Sequence, residues 1–87
     1  MYIPIRLSVL VVDDYEVNRR IYSELLRSWG CVPHAVSSGP AALVALRNAL
    51  GTEPFRLVLL DMHMPEMDGE MTAAAIQMWI KPITARV

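Results

Sequence analysis

Two short apolar runs that each end in aspartate constrain this chain more than any other feature. Leu57-Val58-Leu59-Leu60 runs straight into Asp61, and a proline and Asp68-Gly69 follow. A run this short and this apolar reads as a strand buried on both faces, the habit of parallel sheets. Its aspartate then stands at the carboxyl edge of the sheet, where open α/β sheets bind their ligands. Leu7 to Val12 is a second run of the same kind, and it ends in Asp13-Asp14.

Between and after these runs the periodicity changes to helical. Val17, Ile21, Tyr22, Leu25, Leu26 and Trp29 recur at helical spacing and mark one apolar face, and Gly30 supplies a stop. Arg19, Arg20, Glu24 and Arg27 fall largely off that face, and the Arg19-Arg20 pair reads as a solvated surface. Cys31 to Val36 is a shorter strand. Pro33 cannot donate to a ladder, so this strand belongs at an edge. Ser37-Ser38-Gly39-Pro40 opens a second helix with the buried stripe Ala42, Leu43, Leu46 and Leu50, closed by Gly51. A third helix is expected over Glu70 to Ile80, with Asp68 as its N-cap and Pro82 beyond its end. Ile83, Ala85 and Val87 alternate with other residues, the pattern of an extended tail.

The order is βαβαβα plus a tail. Right-handed crossovers place the strands as 2-1-3 with the first strand central. Asp13-Asp14 and Asp61 then share one edge of adjacent strands. The 87 residues make one domain at most, divided here as residues 1–80 and a tail of 81–87. Apolar content is 54%, high enough that apolar surface is left over for a partner unless the core is unusually complete. The net charge of −1 gives no global field for nucleic acid or anionic membrane. A single cysteine, Cys31, excludes an internal disulfide framework and fits a reducing cytosol. No apolar run approaches the ~18 residues needed to span a bilayer, and the first ten residues do not read as a signal peptide.

Three crowded carboxylates are costly unless a cation joins them, and Mg²⁺ is the simplest hard cation for oxygen ligands. An ion there also draws phosphate oxygens, which makes Asp61 a candidate nucleophile toward phosphorus. The bland alternative is that Asp13-Asp14 caps the first helix and Asp61 is a solvated strand end. Met62, His63, Met64 and Met67 offer soft donors for Cu(I), against the simpler reading that methionine fills space there. No Ser-His or Cys-His set and no glycine-rich phosphate loop argues for an enzyme in the turnover sense.

The motifs Val-Val-Asp13-Asp14, then Asn18-Arg19-Arg20, then Leu-Leu-Asp61-Met-His-Met-Pro65-Glu-Met-Asp68-Gly69 together resemble the receiver domain of two-component response regulators. The closest likeness is to receivers attached to hybrid sensor histidine kinases, and it covers residue 7 to about 76. The resemblance implies a flavodoxin-like (CheY-like) three-layer α/β sandwich with helices on both faces. It implies that Asp61 accepts a phosphoryl group from a histidine kinase or phosphotransfer domain in the cytoplasm. Asp14 would bind Mg²⁺ directly, Asp13 through water, and His63 through its backbone carbonyl. The chain departs from the family after the third helix. The fourth strand, with the Ser or Thr that holds the phosphoryl group, reads as absent. Lys81-Pro82-Ile83 resembles the Lys-Pro pair that ends the fifth strand, with Lys81 as the phosphate contact, but it follows Asp61 far too early. A truncated or internally deleted receiver is therefore expected, with impaired phosphorylation at Asp61. The third strand would present an open apolar edge and so favour a homodimer, the basis of the competing reading as a non-catalytic interaction module.

Overall fold

The computed structural model describes residues 6–61, Ala74 and the backbone of residues 83–86. The elements in chain order are β1 (Ser8–Val12), α1 (Glu16–Ser28), β2 (Val32–Val36), α2 (Gly39–Ala49), β3 (Leu57–Leu60) and β4 (Ile83–Arg86). All strand pairings are parallel, and the sheet order is β2-β1-β3-β4. The expected order 2-1-3 is present, with β1 inside the sheet and β2 at an edge. Every residue of β1 is buried. That is why its sequence reads as an unbroken apolar run rather than an alternating one.

The fourth strand corrects the expectation of an open edge on β3. The residues read as a tail pair with β3, Leu57 opposite Ile83 and Leu60 opposite Arg86. The alternation of Ile83 and Ala85 is therefore a strand signal in the ordinary sense. A parallel partner satisfies the β3 backbone groups that would otherwise recruit another chain. Among the described residues of the connection from β3 to β4, Ala74 is helical, within the span expected to form the third helix.

Two clusters form the core, one on each face of the sheet. Leu10, Val12, Val58 and Leu60 pack with Ala42 and Leu46 of α2. Val9 and Val11 pack with Leu26 of α1 and with Cys31, against half-buried Tyr22, Trp29, Leu57 and Leu59. β3 is thus not sealed on both faces, as its composition suggested. Val58 and Leu60 are fully buried toward α2, while Leu57 and Leu59 are only half-buried. Among the described residues, α1 lies over β1 and β2 rather than over β3.

Helix ends follow their local chemistry. Ser38 Oγ accepts a hydrogen bond from the Ala41 amide at 3.2 Å, a true N-cap, and Pro40 lies in the first turn. α1 ends where Gly30 takes φ 88, the left-handed region that favours glycine. The Gly30 amide donates to Arg27 and the Cys31 amide to Leu26, both at 3.0 Å, the paired bonds of a Schellman closure. Two apolar stripes differ from expectation. On α1 only Ser23 and Leu26 are buried, whereas Val17, Ile21 and Leu25 are exposed. The latter three recur every four residues on the side of the helix away from Leu26. On α2, Leu50 is also exposed, because the helix ends at Ala49 and Leu50 only caps it.

Candidate phosphoacceptor site

The site forms where β1 and β3 end together. Val12 stands opposite Leu60. The ladder then continues one step beyond the strands: the Asp61 amide donates to the Val12 carbonyl at 2.9 Å, and the Asp13 amide donates to the Val36 carbonyl at 3.1 Å. Neighbouring parallel strands lie about 4.8 Å apart, so the first of these bonds brings aspartates 48 residues apart in sequence side by side, while the second ties Asp13 to the end of β2. One oxygen from each of Asp13, Asp14 and Asp61 can be chosen so that all three lie within 4.8 Å of one another. Asp13 is buried, Asp61 half-buried and Asp14 exposed.

The three carboxylates are not equivalent. Asp13 is held from every side. Its Oδ1 accepts from the Tyr15 amide at 2.9 Å, its Oδ2 from Asn18 Nδ2 at 3.3 Å, and its main-chain carbonyl from Arg19 Nη1 at 2.8 Å. The capping alternative is half realised: Asp13 bonds the amide of Tyr15, the residue before α1, but no side chain caps Tyr15's own position. Asp14, by contrast, stands in solvent at the mouth of the cluster.

Sequence reasoning brought Asp13, Asp14 and Asp61 together correctly but misjudged Arg19. It was read with Arg20 as solvated surface, yet it turns back onto Asp13. The available signal was position: Asn18 and Arg19 lie one turn into a helix that starts at the acidic pair, where side chains tilt toward the helix N-terminus. His63, Met62, Met64, Met67 and Asp68 lie outside the described residues, as does Lys81.

An acidic cluster at the carboxyl edge of a parallel 2-1-3 sheet is the arrangement seen in a known family, whose model, described as the response regulator receiver domain, matches residues 9–84. The chain belongs to the response regulator receiver family. Among curated relatives, the sensor histidine kinase GacS of Pseudomonas protegens is 45% identical over 71 residues. The match covers 82% of this chain and 7% of that protein. Among solved structures, the chemotaxis protein CheY4 of Vibrio cholerae superimposes with a TM-score of 0.77 at 28% identity, covering 85% of this chain and 58% of that one. The receiver domain of the Arabidopsis thaliana histidine kinase CKI1, complexed with Mg²⁺ and BeF₃⁻, gives a TM-score of 0.79 at 26% identity. That match covers 92% of this chain and 64% of the other. This receiver thus spans part of each solved domain and a small fraction of the sensor kinase.

Proposed function

We propose that this receiver accepts a phosphoryl group on Asp61 from a phosphohistidine of a histidine kinase or phosphotransfer domain in the cytoplasm. The observation that carries the reading is the convergence of Asp13, Asp14 and Asp61 at the joined ends of β1 and β3. An Asp61 carboxylate oxygen attacks phosphorus, an O–P bond forms and the N–P bond to the donor imidazole breaks. The imidazole leaves with its electron pair and takes a proton from solvent. The product is an acyl phosphate, one per chain, so the domain is an acceptor and not a turnover catalyst.

The donor set fits Mg²⁺, which takes carboxylate and water oxygens and usually keeps several waters. Asp14 and Asp61 would hold it directly and Asp13, whose oxygens already accept hydrogen bonds, through water. His63 would add its backbone carbonyl. When bound, the ion neutralises charge on the phosphoryl oxygens. The protein's own contribution is to fix Asp61 beside that position, through the Asp61 amide bond to Val12.

Transfer is expected to be slow or short-lived, because β4 offers no hydroxyl near the acceptor. Thr84 stands opposite Val58, three residues and so about 10 Å from Asp61 along the strand. Arg86 stands opposite Leu60, and the next residue in the chain is a valine. The test is acetyl phosphate with Mg²⁺ followed by intact mass. One added phosphoryl group, absent in Asp61→Asn and in the presence of EDTA, supports the reading. An unmodified mass under conditions that label a complete receiver refutes it.

A second reading, self-association as an interaction module, draws on a different surface from the one first expected. The β3 edge is taken by β4, but Val17, Ile21 and Leu25 form an exposed apolar stripe on α1. Light scattering on the protein and on Ile21→Glu tests it. A dimer lost on substitution favours association through α1, and a monomer at micromolar concentration removes this reading.

A further inference from the structure

We infer that Arg19 is a positioning residue for the cation site, acting through the peptide that joins Asp13 to Asp14. The inference rests on the Mg²⁺ reading above. Arg19 Nη1 donates to the Asp13 carbonyl at 2.8 Å, and that carbonyl belongs to the peptide unit linking the two acids. A planar peptide held at its oxygen has one orientation, and the next residue's backbone direction follows from it. Asp14 is the exposed acid with no hydrogen bond of its own among the described contacts. Its direction is therefore set from the main chain. Tyr15 and Asn18 fix the Asp13 carboxylate in the same way, so the clamp is completed by three donors from one turn of chain. Arg19 itself is half-buried, which keeps its side chain from wandering in solvent.

The charge of Arg19 and its geometry push cation affinity in opposite directions. A guanidinium near three carboxylates lowers the local negative potential and so weakens cation binding. Holding the Asp13–Asp14 peptide in place strengthens it, as outer groups that orient metal ligands do. Removing the side chain therefore gives a signed result. The experiment is an Mg²⁺ titration of the parent, Arg19→Gln and Arg19→Lys, followed by amide chemical shifts. Gly30→Ala, at the far end of the same helix, controls for simple loss of helix stability.

If Arg19 positions the site, Arg19→Gln binds Mg²⁺ about tenfold more weakly. Arg19→Lys keeps the charge on a shorter stem and loses about twofold. Gly30→Ala matches the parent. Affinity equal to or tighter than the parent in Arg19→Gln overturns the inference, since charge alone then explains the residue. Equal weakening in Gly30→Ala also overturns it. Should Arg19→Gln fail to fold, Arg19→Lys decides: weaker binding supports positioning, and unchanged binding refutes it. A parent that shows no Mg²⁺ response would instead sink the metal reading itself.

Discussion

Asp13 and Asp14 are adjacent in sequence, yet their surroundings divide the work between them. Asp13 is 3% exposed and accepts hydrogen bonds at both carboxylate oxygens, so its geometry is fixed before any ion arrives. Asp14 is exposed, and its carboxylate accepts no hydrogen bond among the described contacts. Substituting Asp14 by Asn should therefore weaken Mg²⁺ binding at least about tenfold with little change in melting temperature, since a hard cation prefers a charged oxygen. Asp13→Asn should weaken binding and also lower stability by about 1–3 kcal/mol, because a buried acceptor set is partly lost. Mg²⁺ titration beside thermal melting separates the two. Asp61→Asn should abolish acyl phosphate formation while leaving the fold intact, read by intact mass and circular dichroism.

At the scale of elements, two local devices determine where helices begin and end. The left-handed backbone at Gly30 lets α1 turn into β2, and alanine there should cost about 1–2 kcal/mol, measured by urea unfolding. Loss of the Ser38 cap in Ser38→Ala should cost about 1 kcal/mol by the same measurement. The glycine stop was legible in the sequence, and so was the start of α2 through its proline, because both act on their immediate neighbours; the Ser38 cap itself was seen only in the structure. The burial of whole stripes was less legible. Spacing marks which residues can share a face, but not how far the neighbouring layer extends. Leu26 meets the sheet whereas Val17, Ile21 and Leu25 do not, and Leu50 is left outside by the end of α2.

For the molecule as a whole, β4 matters more than its four residues suggest. It covers the edge of β3, the strand that runs into Asp61. Ending the chain after residue 82 should expose that edge and raise the apparent mass in light scattering through strand pairing between copies. An unchanged monomer would show that β4 is dispensable as a cover. The core itself depends on β1, where Leu10 is fully buried between α2 and the sheet. Leu10→Ala should cost about 2–5 kcal/mol, a large share of the stability of so small a domain.

By itself the sequence determined that two apolar strands end in acids, that helices separate them, and that a parallel 2-1-3 order follows. Period, composition and the handedness of crossovers are local or nearly local constraints, so they can be read along the chain. Only the tertiary structure decided that residues 83–86 close the open side of β3, and that Arg19 turns inward onto Asp13. Both depend on which groups meet after the sheet has assembled. A strand's partner is chosen by unpaired backbone groups distant in sequence, and a long side chain's direction by the acceptor it can reach in space.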